Sequence, residues 1–333
     1  MSTLYILEQG ASICKDRERL RVVLPNGEEM VSIPLGQVEQ VIIVGHATLT
    51  APAAQVLLEA GIPVTYLTVT GRILGRLQPF ENKNVPLRWA QFQAAACPEK
   101  SLAIAKAIVK GKIFNQRCLL MRAQREGISG LGESIDRLKI LLQKVGEASS
   151  LEEVRGLEGA AASEYFRQWP KLIRPVGFPF PGRVKRPATD PVNALLSFGY
   201  TLLLNEAIRA CHVVGFDPYL GYLHMDRYGR PALALDLMEE FRPILVDSLV
   251  LSCINRNMLD PEDFEGELGG AKRLKRPALR KFLAAWEQKR RTMVQHRGFG
   301  VQVPYWRVVE LQARVLAKVL LGELEEYVPF LDR

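Results

Sequence analysis

At 333 residues the chain is longer than one hydrophobic core usually spans, so two domains are expected. A composition of 48% hydrophobic and 24% charged residues excludes wholesale disorder. No apolar run reaches the ~18 residues that a membrane-spanning helix needs, which excludes an integral helical membrane protein. The net charge of +8 is unevenly distributed. The first 80 residues hold six basic against seven acidic side chains, so the positive excess lies beyond them, and a polyanion is expected to bind there.

The start, Met1-Ser2-Thr3-Leu4-Tyr5, lacks the basic and apolar regions of a signal peptide. Strands are expected at Leu4–Leu7, Arg19–Leu24 and Val38–Val44, with alternation continuing over Glu29–Ile33. Pro25-Asn26-Gly27 supplies hairpin chemistry, because Asn-Gly tolerates the positive φ angles of a tight turn. Thr50 ahead of Ala51-Pro52 marks a helix start, and that helix runs to about Gly61. Two more strands are expected at Ile62–Leu67 and Arg72–Leu77.

Around Gln78-Pro79 the pattern changes to helical spacing, as in Leu102, Ala105, Ile108, Val109 and Ile113. Further helices are expected near 132–146, 151–171, 191–214, 243–258, 277–295 and 304–326, with Asp190-Pro191 as a strong start signal. The expected fold is α+β in two domains. A small N-terminal mainly-β domain, β-sandwich-like with one helix, covers 1–80. A linker over 81–90 joins it to a larger all-α C-terminal domain over 91–333.

Two segments interrupt the helices. Residues 174–187 hold four prolines among aromatic and basic side chains, which points to an ordered loop or a DNA-touching arm carrying Arg183, Lys185 and Arg186. Residues 265–276 hold three glycines and then a basic run that includes Lys272 and Arg273. Mobility is expected there, and the run suits either a solvated face or a phosphate contact.

Several chemistries lack their motifs. There is no phosphate-cradling loop of the P-loop or dinucleotide type and no G-x-S-x-G elbow. The five cysteines (Cys14, Cys97, Cys118, Cys211, Cys253) form no C-x-x-C pair, so neither a disulfide framework nor a zinc site is expected, and a cytoplasmic location fits best. Residues 221–243 stand out: His224 precedes a turn, and an apolar run then carries Asp236 and Glu239, three positions apart and so on one helix face. Such oxygens suit a hard divalent cation, and an imidazole tilts the preference toward Mn²⁺. A surface histidine followed by an acidic helix start would give the same pattern. Glu158 lies in a stretch whose small residues, 159–163, allow close approach of a ligand or of another helix.

Together these segments carry a resemblance. Gly156-Leu157-Glu158-Gly159-Ala160-Ala161-Ala162-Ser163-Glu164-Tyr165-Phe166 resembles the first acidic motif of the CRISPR-associated integrases, the Cas-one family, and residues 221–243 resemble the second. Residues 189–207 resemble the helix between them. The resemblance implies a catalytic Mg²⁺ or Mn²⁺ site formed by Glu158, His224 and Glu239, with the acid Asp236 close by. It implies attack of a free DNA 3′-hydroxyl on a target phosphodiester, with double-stranded DNA (spacer precursor and CRISPR repeat) as substrate. Homodimers formed through the β domains, and assembly with the small partner Cas-two, are also implied. Arg242 is then placed to stabilise charge on the phosphate or to pair with Glu239 or Glu240, and Lys185 and Arg186 to contact donor DNA. Tyr165 is expected to line the site or to pack in the core. Two rivals remain: a metal-dependent nuclease acting on branched DNA, and a non-catalytic DNA-binding scaffold.

Overall fold

The computed structural model describes residues 2–80, 83–184, 187–224, 228–267 and 269–332. The chain divides into two compact units, Met1–Glu81 and Asn82–Arg333.

The first unit contains strands β1 (Ser2–Ile6), β2 (Ser12–Asp16), β3 (Arg19–Val23), β4 (Glu29–Pro34), β5 (Val38–Val44) and β6 (Thr48–Leu49). Helix α1 (Ala51–Glu59) follows, then β7 (Val64–Leu67) and β8 (Ile73–Leu77). One sheet runs β1-β5-β7-β8, parallel except for β8. The other runs β4-β3-β2-β6, antiparallel except for the β2–β6 pair. Strand β5 lies between two parallel neighbours and is buried along most of its length, and it ends in an unbroken apolar run, Val41–Val44, rather than an alternation. Gly27, at φ +83°, closes the β3–β4 hairpin as Asn-Gly chemistry requires. Thr50 precedes α1 as expected, but its hydroxyl donates to the Ile13 carbonyl (3.0 Å) and ties the helix start to β2 instead of capping it. Ile13, Leu20, Val41, Ile43, Leu57 and Val64 share one core between the sheets and α1.

The second unit is mostly helical: α2 (Val85–Ala95), α3 (Pro98–Arg125), α4 (Gly132–Glu147), α5 (Leu151–Arg167), α6 (Trp169–Leu172), α7 (Pro191–Val214), α8 (Ala232–Met238), α9 (Ser248–Asn255), α10 (Arg276–Arg290) and α11 (Tyr305–Leu320). Helix α2 begins inside the segment expected as linker, because Asn84 accepts from the Leu87 amide (3.3 Å) and Pro86 suits the first turn. Asp190 caps α7 through the Asn193 amide at 2.8 Å. Helix α3 packs against α4 and α5, and the largely buried α7 against α8 and α11.

The unit is not purely helical. Short hairpins form from β9 (Phe264–Gly266) with β10 (Lys272–Leu274) and from β11 (Met293–His296) with β12 (Val301–Pro304). The segment expected to be mobile is thus partly a hairpin, closed by the Glu267 amide donating to the Ala271 carbonyl. Strands of three or four residues are too short for apolar alternation to show. Among the described residues no helix is long and apolar enough to cross a membrane.

Candidate active site

Several elements of the second unit bring the site together. Helix α3 contributes Lys112. Helix α5, capped by the Ser150 hydroxyl accepting from the Glu153 amide, contributes Glu158. The loop ending at His224 precedes α8, which carries Asp236, and the tight turn Glu239–Phe241 continues α8. A π-helical turn over Arg242–Asp247 then leads into α9.

Asp236 is fully buried and has four donors. Its Oδ2 accepts the amides of Tyr222 (2.6 Å) and Leu223 (2.9 Å), and its Oδ1 accepts the amide of His224 (3.0 Å) and faces His224 Nδ1 at 2.6 Å. A carboxylate offers about four lone-pair sites, so Asp236 is saturated by the loop it holds. With Nδ1 turned to Asp236, His224 presents Nε2 toward Glu239, 3.7 Å from its Oε1. Gly221 allows this fit: a Cβ there would lie 2.7 Å from both the Ala232 carbonyl carbon and Asp236 Oδ2. Arg155, one turn before Glu158, donates to the Leu223 carbonyl at 2.7 Å and links α5 to the histidine loop.

Glu158 and Glu239 meet on one cation, the ammonium of Lys112. Its Nζ bonds Glu158 Oε1 and lies 2.6 Å from Glu239 Oε2. Arg242 Nε takes the other Glu239 oxygen at 3.0 Å, and its guanidinium stacks 4.5 Å from the Tyr200 ring centre. Burial opposes charge on Glu239, but Arg242, Lys112 and His224 outweigh it and hold the carboxyl well below its usual range. Burial likewise works against the Lys112 ammonium, yet Glu239 and Glu158 raise its pKa. Both groups are therefore charged.

A second network backs the first. The buried Asp247 accepts from Tyr165 Oη (3.0 Å) and Tyr200 Oη (2.6 Å). Burial pushes its carboxyl up to about 6, against the pull of those two hydrogen bonds. Tyr165 is thus a core residue, stacked edge-on with Trp169. Next to Glu239 in the Glu239–Phe241 turn, Glu240 accepts from Tyr327 Oη and the Phe330 amide, with Gln312 Nε2 at 3.3 Å, and burial pushes it up to about 7.

Glu158, His224, Asp236, Glu239 and Arg242 therefore come together. Among the described residues, however, no three His, Cys, Asp or Glu side chains converge at metal-binding geometry. The Lys112 ammonium stands where the two carboxylates meet. The donor set, two carboxylates and one imidazole nitrogen, fits Mg²⁺ or Mn²⁺ in kind, and its carboxylates already bind a cation.

Of the expected DNA-binding residues, Arg183 and Arg273 engage the protein's own side chains. Arg183 directs its guanidinium inward, to Asn193 Oδ1 (2.7 Å), Ser197 Oγ (3.2 Å) and the Val184 carbonyl, and fastens the proline-rich loop to α7. Arg273 pairs with Glu265 (2.8 Å) and Glu267 (3.3 Å) on the β9–β10 hairpin, while Lys272 beside it is exposed. Lys185 and Arg186 lie outside the described residues. Lys112 and Arg155 were missed by the sequence reading; helical spacing from Glu158 marks Arg155, but no local signal marks Lys112.

The family model described as CRISPR associated protein Cas1 matches residues 4–288. The chain is 42% identical to the CRISPR-associated endonuclease Cas1 3 of Thermus thermophilus over 334 residues, covering 100% of this chain and 98% of that protein. Among solved structures it is similar to a casposase bound to integration product, with a TM-score of 0.88, 26% identity, and 98% of this chain and 93% of that chain covered. It is also similar to a chain of a Cas6-RT-Cas1–Cas2 complex, with a TM-score of 0.84 and 28% identity, covering 100% of this chain and 36% of that one.

Proposed function

The chain belongs to the Cas1 family, and on that premise we propose that it is a metal-dependent DNA integrase of CRISPR adaptation, which joins short DNA fragments to a repeat array. The observation that carries this reading is the meeting of Glu158 and Glu239 on one cation beside a histidine fixed by Asp236. Glu158, Glu239 and His224 Nε2 are the residues that would hold Mg²⁺ or Mn²⁺. When bound, such an ion supplies Lewis acidity toward a phosphoryl oxygen. Asp236 orients His224 and does not serve as a ligand. Arg242, pinned between Glu239 and Tyr200, offers positive charge to the phosphate as negative charge develops on it.

In the joining step the fragment's 3′-oxygen bonds to the target phosphorus, and the phosphorus–oxygen bond to the displaced target strand breaks. The attacking hydroxyl loses its proton and the departing 3′-oxygen gains one. One phosphodiester replaces another, so no nucleotide triphosphate is consumed, in keeping with a sequence that lacks phosphate-cradling loops.

The similarity to a casposase bound to integration product, and to a chain of a complex containing Cas2, supports double-stranded DNA and a Cas2 subunit as partners. Homodimerisation through the strand-rich unit and a cytoplasmic location complete the proposal. Lys185, Arg186 and Lys272 are proposed as phosphate contacts, with Arg183 and Arg273 shaping the segments that present them.

Strand transfer tests the reading. Purified protein with its Cas2 partner, a short duplex with free 3′-hydroxyls, a repeat-bearing plasmid and Mn²⁺ are expected to give joined products that EDTA abolishes. Cutting without joining would favour the branched-DNA nuclease, and binding with neither would favour the scaffold.

A further inference from the structure

Lys112 is a buried lysine at the centre of an acidic site, and the reaction as proposed above gives it no role. Its helix cannot retreat. One turn on, Asn115 Nδ2 donates to the carbonyls of Glu240 and Phe330 (both 2.9 Å), and Asn115 Oδ1 accepts from the Asp332 amide at 3.0 Å. At the preceding residue, Gly111, a Cβ would lie 2.6 Å from Pro329 Cβ and 3.3 Å from Glu240 Cβ, so α3 touches the Glu239–Phe241 turn and the segment at Pro329 with no space between. The backbone at Lys112 is thus fixed, and only its four-carbon side chain can move.

The two cations on Glu239 differ in this respect. Arg242 takes Oε1 and is held by Tyr200 as well. Lys112 takes Oε2 and is the one that also reaches Glu158. A divalent ion bound by both carboxylates needs those oxygens at about 2.1 Å for Mg²⁺, and an ammonium bonded to the same oxygens would then stand next to a double positive charge.

We infer that Lys112 is an internal counter-cation: its ammonium holds Glu158 and Glu239 together in the metal-free protein and swings away when a divalent ion loads. The inference rests on the metal-site reading above. Lys112 thereby sets how tightly the ion is held, because every ion must displace it, and until then it offsets charge on the buried Glu239 and the half-buried Glu158.

The test is Mn²⁺ binding followed by electron paramagnetic resonance of the free ion, on the full-length protein and its Lys112→Met, Lys112→Arg and His224→Ala variants. Lys112→Met is expected to bind Mn²⁺ roughly tenfold more tightly or more, with a larger Mn²⁺-induced rise in melting temperature than the parent protein. Lys112→Arg, which keeps the cation, should bind no more tightly than the parent. Unchanged or weaker binding in Lys112→Met, with His224→Ala still defective, overturns the displacement while leaving the metal site intact. Full Mn²⁺ binding in His224→Ala, or none in the parent protein, overturns the metal-site reading and this inference with it. A second readout needs no variant. Acetic anhydride labelling of Lys112 in the native protein, followed by peptide mass spectrometry, should rise several-fold on adding Mn²⁺; equal labelling with and without the ion overturns the inference.

Discussion

His224 Nδ1 lies 2.6 Å from Asp236 Oδ1, while the same carboxylate accepts three consecutive backbone amides, those of Tyr222, Leu223 and His224. One buried side chain therefore sets both the ring orientation and the loop that carries it. The two acids three residues apart divide their work: Asp236 holds the histidine, and Glu239 faces the cation.

Asp236→Asn removes one acceptor face and replaces it with a donor aimed at amides or at the ring. Changes to groups that orient metal ligands typically cost about 10–100-fold in metal affinity or activity. The expected result is a loss of that size in Mn²⁺ affinity and strand joining, against a near-complete loss for Glu239→Gln. Titration of both variants with Mn²⁺, alongside joining assays, checks the ranking.

Gly221→Ala forces a methyl group onto the Ala232 backbone and the Asp236 carboxylate, both at 2.7 Å. Overpacking of this kind costs roughly 1–3 kcal/mol. Urea denaturation should show that loss, and joining activity should fall with it, because the same contact displaces Asp236.

Asp247 links folding to pH. Its folded-state carboxyl, at about 6, lies above its ordinary value of 3.8, so between those values the folded protein holds a proton that the unfolded chain releases. Its contribution is present in full below 3.8, declines as pH rises to about 6 and is flat above that. The span corresponds to about 3 kcal/mol. Asp247→Asn should flatten the dependence of melting temperature on pH across that window, and a variant with the parent's slope would assign the dependence to other groups.

Glu240 anchors the chain end. Glu240→Ala would leave Tyr327 Oη and the Phe330 amide buried without their acceptor, at roughly 1–3 kcal/mol for each group. Denaturation should report a loss of a few kcal/mol, and limited proteolysis should cut first within residues 326–332.

Much of this was legible in the sequence where local chemistry and tertiary structure agree. Asp190-Pro191 opens α7, Asn26-Gly27 closes a hairpin, and the apolar run of β5 reflects a strand buried between parallel neighbours. Strand β2 escaped notice because Ser12-Ile13-Cys14-Lys15-Asp16 has only one strongly β-forming side chain, and its place comes from pairing with β3 and β6. The π-helical turn over Arg242–Asp247 has no sequence periodicity of its own.

Within the site, the acids and His224 were visible through the motifs that resemble the family, whereas Lys112 was not. Helix α3 also carries Lys100, Lys106 and Lys110, and Lys100 and Lys110 are exposed; only the fold separates the buried lysine from those. Arg183 shows the same dependence on the fold. A basic residue in a proline-rich loop suggests a DNA contact, while its guanidinium is used to hold the loop to α7.

The central claim is that Glu158, His224 and Glu239 hold the reactive cation. Anomalous diffraction at the manganese edge from crystals grown with Mn²⁺ tests it most directly. The account predicts one peak per chain, within bonding distance of Glu158, Glu239 and His224 Nε2, with Asp236 still bound to the 222–224 amides. A peak bound by Asp236 in place of Glu239, or none at this centre, would contradict it.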